Sequence, residues 1–189
     1  VLGEEEKLLE RGKLFTKAMA VCCKQKYATG VYTSGVVFEP RFYEGLADML
    51  KEDELPIFNW VWFGLYRSEG GLNGYTYGMD VFGKEEMEVL NTDAEPEELR
   101  DFLASLASYV LACDVTLQDG ETIGFSADDK HTITRSPGVS LPEEQMTLKI
   151  GYEPIKGDPE DDSCDHSDND DKQDEEEFSN PEVYTEEEM

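Results

Sequence analysis

The sequence predicts an α+β fold: one antiparallel or mixed sheet with two or three helices packed mainly on one of its faces. Three observations support this class. Apolar residues recur at helical spacing in three segments, several other segments are rich in β-branched and aromatic residues, and short turns join these strand-like segments. Strands joined by short turns pair antiparallel, and grouped helices cover one side of such a sheet.

The three helices are predicted over residues 4–25, from Pro40 onwards, and over Pro96–Cys113. Proline suits the first turn of a helix, and acidic residues after Pro96 lie near the positive end of the helix dipole. The first helix is expected to present one apolar face, formed by Leu8, Leu9, Phe15, Ala18, Met19 and Cys22.

The first strands are predicted at Val31–Tyr32 and Val36–Phe38, on either side of a Ser-Gly bend. The run Ile57–Tyr66 is apolar on both faces, which predicts a central strand covered from both sides. Leu72–Met79 alternates after a Gly-Gly turn, so we expect it to form a hairpin with that run. In the short strand Glu86–Leu90, Met87 and Val89 share one face, and the alternating acids predict a solvated opposite face.

The segment Val115–Phe125 predicts two short strands joined by a type I′ turn at Asp119-Gly120, because that turn requires positive φ at both residues. His131–Thr134 and Met146–Ile150 are the last predicted strands, with proline and glycine between them.

The charge divides the chain into two parts. Residues 157–189 hold 16 acidic residues and one lysine, and residues 1–156 hold 28 acidic and 15 basic residues, giving net charges of -15 and -13. The last 33 residues have few large apolar side chains, so they cannot offset the entropy of ordering. We therefore expect one α+β domain at 1–156 and a disordered acidic tail at 157–189. The tail serves either as a solubilising segment or as an electrostatic arm for a basic partner.

Composition argues against two classes of partner. Binding to nucleic acid needs clustered basic side chains, which the composition does not favour, and an anionic membrane would repel the chain. No apolar run is long enough for a membrane helix and no signal peptide is recognisable, so a cytoplasmic location is expected. Cys22, Cys23, Cys113 and Cys164 lack CxxC spacing and are expected to be buried free thiols.

Several short motifs from Trp60 to Tyr152 resemble the domain of unknown function 4261 family, found mostly in bacteria. They are Gly74-Tyr75-Thr76-Tyr77-Gly78-Met79, Phe82-Gly83, Glu88-Val89-Leu90, Pro96-Glu97-Glu98-Leu99, Val115–Phe125 and Ser136-Pro137-Gly138-Val139. Residues 29–32 and 38–40 are similar to the upstream part of such proteins, which usually begin with a further strand and helix. The chain starts at Val1 rather than methionine, which indicates either a fragment or a processed product, and residues upstream would hold a targeting signal or N-terminal elements of the domain. The resemblance implies no reaction and no cofactor.

Candidate catalytic groups are few. His131 is the one histidine of the predicted domain, and Cys113 or the nearby carboxylates Asp128 and Asp129 could partner it in a hydrolase. Asp119 and Glu121 could form an acid–base pair, but a hairpin turn exposes both side chains. We assign no catalytic, cofactor-binding or metal-binding residue on these patterns.

Two other features have a structural and a functional interpretation. The glycines at 70, 71 and 74 lack the lysine and the strand-to-helix setting of a phosphate loop, so they indicate a hairpin. One aromatic set either lines a ligand groove or fills the core: Phe58, Trp60, Trp62, Phe63, Tyr66, Tyr75 and Tyr77. In the tail, no register satisfies a calcium loop, and the acidic kinase-site patterns carry little information.

These observations favour a non-enzymatic protein-binding domain of adaptor or immunity type, with a basic protein as its partner and electrostatic steering of the encounter. A hydrolase with a site near His131 is the alternative, and a scaffold without a ligand is the third hypothesis. The oligomeric state is left open.

Overall fold

The computed structural model describes residues 4–33, 35–124 and 130–152. The chain divides into two units, Val1–Ile155 and Lys156–Met189, and every described residue belongs to the first. The described residues do not include the predicted acidic tail with Cys164, nor the loop residues Asp128 and Asp129.

Four α-helices form in the described ranges: α1 (Glu4–Cys23), α2 (Pro40–Ala47), α3 (Ile57–Trp60) and α4 (Pro96–Ala112). One short 3-10 helix follows α2 at Asp48–Lys51, and a second lies at Met79–Phe82. Pro40 and Pro96 stand in the first turns of α2 and α4, as predicted. The Glu39 carboxylate caps α2 by accepting the Phe42 N–H at 3.0 Å.

The strands are β1 (Val31–Thr33), β2 (Val36–Phe38), β3 (Trp62–Ser68), β4 (Gly71–Tyr77), β5 (Met87–Thr92), β6 (Thr122–Ile123), β7 (His131–Pro137) and β8 (Met146–Ile150). β1 and β2 form a separate antiparallel hairpin. The other six build one sheet in the order β3-β4-β5-β8-β7-β6. β5 and β8 pair parallel and the remaining neighbours pair antiparallel, so the sheet is mixed. The predicted α+β class is confirmed.

The main core lies between α4 and the sheet. Leu99, Leu103 and Leu106 of α4 are fully buried, and β5 contributes Met87 and Val89 to the same cluster. Complete burial of one such side chain is worth roughly 1.5–3 kcal/mol. A smaller cluster joins α1, α2 and the β1–β2 hairpin through Cys23, Val31, Phe38 and Tyr43.

The prediction of one central strand over Ile57–Tyr66 is wrong. Residues 57–60 form the single turn of α3, and β3 lies at an edge of the sheet. Pro56 precedes the helical turn, and Val61 donates its N–H to the Ile57 carbonyl. The composition misled the prediction because an apolar run of this length fits a strand and a helical turn equally well.

The predicted hairpin across Asp119-Gly120 is also different in the structure. Residues 115–118 form no strand, and of the two turn residues Gly120 alone has positive φ, at 83°. Gly120 donates its N–H to the Ile133 carbonyl, and Ile133 donates to the Glu121 carbonyl. Pairing with β7 satisfies the backbone of this segment, so a type I′ hairpin is not needed.

Three burial predictions are corrected. Glu86 and Glu88 are buried rather than solvated, as described below. On α1, Phe15, Ala18 and Cys22 are exposed, because the buried side of the helix centres on Thr16 and Cys23. Of the free thiols at residues 22, 23 and 113, only that of Cys23 is buried. None of the described helices is long and apolar enough to cross a membrane.

Candidate functional site

A groove of about 770 Å³ runs between α1, the tip of the β1–β2 hairpin and the turn that follows β4. We call it the α1 groove. Four separate parts of the sequence line it: Leu8, Arg11, Gly12, Leu14, Phe15 and Ala18 of α1, Thr33 and Gly35 of the hairpin, Asn59 and Trp60 of α3, and Tyr77, Gly78, Asp80, Val81 and Phe82. Its volume falls in the range of small-molecule and cofactor sites.

The floor of the groove depends on close packing between α1 and two aromatic rings. The rings of Trp60 and Phe82 lie 5.0 Å apart, and a Cβ at Gly12 would stand 2.7 Å from the Phe82 ring. Glycine at position 12 therefore allows the helix to approach. The buried Trp60 indole donates to the Thr16 hydroxyl at 2.7 Å, which fixes the ring orientation.

The rim of the groove is apolar and exposed to solvent. Leu14 is 69% exposed and Val81 is 64% exposed, and Phe15 and Tyr77 are about half exposed. Large apolar side chains gathered on one surface are typical of interaction sites, whereas single ones are ordinary. α1 therefore has two apolar stripes, one packed on the domain and one facing the groove.

Two opposite charges border the groove. The side chains of Arg11 and Asp80 both line it. Within residues 4–33, 35–124 and 130–152, neither side chain has an ion-pair partner. Both are exposed and available to a ligand.

Glu86 fixes the wall of the groove opposite α1. Its Oε1 accepts the N–H groups of Gly78, Met79 and Asp80 at 2.7, 2.9 and 3.4 Å. Its Oε2 accepts the Thr76 hydroxyl at 2.6 Å. Burial raises the pKa of the Glu86 carboxyl, although these donors act in the opposite direction. A buried carboxyl thus holds residues 78–80 in place.

Glu88 performs a similar task for a different loop. Its carboxylate accepts the N–H groups of Val139, Ser140 and Leu141 at 2.8–3.2 Å. The Lys149 ammonium lies 2.8 Å from Oε2. Burial acts to raise the pKa of Glu88, but the Lys149 charge and the loop N–H donors outweigh it, so the pKa lies below its usual value.

His131 is buried in the core rather than exposed in a cleft. Its Nδ1 lies 2.9 Å from the Gly151 carbonyl oxygen. Its ring packs edge-on against Phe102 with centroids 4.7 Å apart, and stacks on Tyr152 at 5.3 Å. Cys113 is exposed at the end of α4. The surroundings of His131 are those of a packed aromatic cluster.

The other candidate residues are distributed over the surface and the core. Asp119 and Glu121 are exposed, and both bond the local backbone: Asp119 accepts the Arg135 N–H and Glu121 accepts the Gln118 N–H. Of the aromatic set, Trp60 and Tyr77 line the α1 groove, whereas Phe63 is buried in the core. Among the residues that the structure describes, no group of three His, Cys, Asp or Glu side chains could hold a metal ion.

A family model described as "Domain of unknown function (DUF4261)" matches residues 75–151. The predicted resemblance is confirmed. The DUF4261 match includes Glu86, Glu88, His131 and the 77–82 wall of the α1 groove, and it excludes α1 and β3. No curated protein and no solved structure matches the chain.

The sequence does not reveal the α1 groove, because the lining comes from segments that are far apart in sequence. The predicted buried face of α1 includes Phe15 and Ala18, but the structure shows that both are exposed. The buried carboxylates in the DUF4261 segment were missed as well. The one available signal was the Glu-x-Glu spacing at 86 and 88, which also fits a strand with one solvated face.

Proposed function

We propose that the protein is a non-enzymatic binding module, of adaptor or immunity type, that holds a segment of a basic partner protein in the α1 groove. The observation that carries this proposal is the apolar, solvent-exposed rim of the groove above a buried, closely packed aromatic floor. Apolar side chains of a partner would remove this rim from water, which stabilises a complex by roughly 25 cal/mol per Å² buried.

The charge of the chain supports a basic partner. The formal net charge is -28, and a strongly acidic protein attracts cationic proteins over distances of about one Debye length. Asp80 offers a carboxylate at the groove itself. The charge accelerates the encounter, and the apolar groove supplies most of the affinity.

A cytoplasmic location belongs to the same proposal. Cys22, Cys23 and Cys113 are free thiols, the state that a reducing compartment maintains. The alternative function, a hydrolase centred on His131, lacks support from the surroundings of that residue. A general base must reach its substrate through a solvent-accessible opening, and the His131 ring is covered by Phe102 and Tyr152.

A comparison of two surface substitutions tests the proposal. Full-length wild type, Val81→Asp and Tyr109→Asp are used to capture proteins from a host lysate, with elution along a salt gradient. Val81 lines the groove, whereas Tyr109 is an exposed aromatic residue of α4 outside it. We expect wild type and Tyr109→Asp to retain the same basic protein, and Val81→Asp to lose it. Equal capture by all three proteins, or a partner indifferent to salt, would contradict the proposal.

A further inference from the structure

One edge of the sheet has unpaired backbone groups. β3 lies at that edge and pairs with β4 alone among the described strands. Ser68 and Gly71 flank a two-residue turn, so they form a hydrogen-bonded pair. From there, hydrogen-bonded and non-hydrogen-bonded pairs alternate along the β3–β4 ladder, and β3 residues in the non-hydrogen-bonded pairs direct their backbone groups away from β4. It follows that Phe63, Leu65 and Arg67 direct their N–H and C=O groups outwards. Within the described ranges, these groups have no backbone partner.

The β3 edge has little of the usual protection against strand addition. Edge strands are commonly short, or carry charged side chains, proline or a bulge that prevents pairing with another chain. β3 is seven residues long, contains no proline, and pairs with β4 in unbroken register. Its one charged residue, Arg67, lies next to the turn at the end of the strand, so residues 62–66 remain a template for a further strand.

The side chains on the outer face of β3 suit a cationic strand. Trp62 is 45% exposed and Tyr66 is 39% exposed, and they flank Gly64, over which the Tyr75 ring lies. Residues at alternate positions of an added strand would lie beside these aromatic faces, which attract lysine and arginine. The neighbouring sequence is acidic as well: residues 52–69 hold Glu52, Asp53, Glu54 and Glu69 against one basic residue, Arg67.

We infer that the β3 edge binds an extended segment of the partner protein, with basic residues at alternate positions, as a seventh strand of the sheet. This inference rests on the proposed function, since it takes the basic partner from there. It adds a second contact surface next to the α1 groove, because Tyr77 lines the groove and pairs with Trp62 across the β3–β4 ladder. A second copy of this chain is a poor occupant, since each copy carries a formal charge of -28.

The probe for this inference is a capped octapeptide of alternating lysine and threonine, added to the full chain. Amide exchange is followed residue by residue by NMR. At a peptide concentration ten times its Kd, exchange at Phe63, Leu65 and Arg67 is expected to slow by about tenfold. A peptide methylated on the nitrogens of one edge, which cannot pair with a strand, is expected to give no protection at these amides.

Two variants measure the aromatic contribution. Trp62→Ala is expected to raise the Kd of the lysine–threonine peptide by roughly two- to fivefold, the range for one exposed cation–π contact. Tyr109→Ala, the control, is expected to leave the Kd unchanged. A glutamate–threonine peptide is expected not to bind.

Three outcomes would overturn the inference. Binding without protection at the three edge amides would show that the peptide associates with acidic residues elsewhere, and equal binding of the methylated peptide would exclude strand pairing. Protection without peptide, together with a dimer in sedimentation, would identify a second copy as the occupant. The lysate capture with Val81→Asp and Tyr109→Asp depends on the α1 groove and not on these peptide experiments. Failure of the β3-edge inference is therefore distinguishable from failure of the proposed function.

Discussion

Glu86 and Glu88 are two residues apart, and both are almost completely buried, at 1% and 0% exposure. Each accepts three consecutive backbone N–H groups: those of residues 78–80, just upstream of Glu86, and those of the sequence-distant residues 139–141 for Glu88. Yet the pKa of Glu86 is raised and the pKa of Glu88 is lowered. Burial acts to raise both pKa values, and the nearby charges differ: the Lys149 ammonium lies 2.8 Å from Glu88 and lowers its pKa, whereas the Asp80 carboxylate adds to the rise at Glu86 and no basic side chain contacts Glu86 in the described part of the chain.

This comparison shows how similar backbone geometry can serve two purposes. The buried Glu88 carboxylate, paired with the largely buried Lys149, ties residues 139–141 to the sheet. The Glu86 carboxyl has no compensating cation, and it holds the 78–80 wall of the α1 groove under an electrostatic cost. Costs of this kind are tolerated where a surface must have a defined shape, which is consistent with the proposed binding role.

The largest effect is expected from Lys149→Met, which leaves the Glu88 carboxylate buried without its cation. Removal of one partner of a buried ion pair destabilises a protein by about 3–5 kcal/mol. Urea denaturation at pH 7 measures the change. Lys51→Met, which removes the exposed ion pair with Asp48, is the control and should cost less than about 1 kcal/mol. Equal losses in the two variants would refute the assignment of a buried pair.

A smaller effect separates the two carboxyls themselves. Glu88→Gln should lower the free energy of unfolding by about 2 kcal/mol, because both oxygens of Glu88 accept from donors and an amide NH₂ would face Lys149 or a loop N–H. Glu86→Gln should cost about 1 kcal/mol or less. Its amide oxygen can still accept the loop N–H groups, and its NH₂ can donate to the Thr76 hydroxyl.

The same urea experiments distinguish these two variants. If Glu86→Gln lowered the free energy of unfolding more than Glu88→Gln at pH 7, the surroundings of Glu86 would stabilise its carboxylate better than those of Glu88, which would contradict the opposite pKa directions.

The pH dependence of stability should have opposite signs at the two positions. A lowered folded pKa means that the contribution of Glu88 is present above the unfolded pKa, about 4.3, and is lost as pH falls through the folded pKa. A raised folded pKa means that the contribution of Glu86 is present below that value and is lost as pH rises towards the folded pKa.

Difference profiles between wild type and each glutamine variant, measured by urea unfolding from pH 3 to pH 8, test this prediction. If the stability difference changed with pH in the same direction for both variants, the folded-state pKa values of Glu86 and Glu88 would be shifted in the same direction.

The smallest effect on stability is expected at the groove rim. Val81→Asp should change the free energy of unfolding by less than about 0.5 kcal/mol, because the side chain is 64% exposed. Gly12→Ala, in contrast, places a Cβ 2.7 Å from the Phe82 ring and should destabilise by roughly 1–3 kcal/mol. Thermal unfolding of the two variants compares them. A large loss in Val81→Asp would mean that Val81 supports the fold and is not free to bind a partner.

Local patterns predicted the parts of the fold that depend on neighbouring residues. The Pro96 helix and the β3–β4 turn were predicted correctly because caps, helical spacing and turn glycines act over a few residues. The roles of Glu86 and Glu88 could not be predicted in this way. The donors to Glu88 lie 51–53 residues away, and only the folded chain brings them to the carboxylate. The donors to Glu86 lie just upstream at residues 78–80, but the alternation of the strand does not show that its side chain is buried against them.

The candidate site was predictable only in fragments. Trp60 and Tyr77 belonged to the aromatic set considered for a groove, and both line the α1 groove. Phe15 and Val81 could not be assigned to it, because α1 has two apolar stripes and the sequence does not show which one the domain covers.

Binding of a basic partner in the α1 groove is tested by site-specific crosslinking from that groove. A photoreactive amino acid replaces Val81 in one variant and Tyr109 in another, and both are irradiated in host cells at equal expression. We expect a basic protein to crosslink to position 81 and not to position 109, and Phe15→Ser in the same chain to reduce the yield. The same products from both positions, or none from position 81, would contradict the assignment of the groove as the binding site.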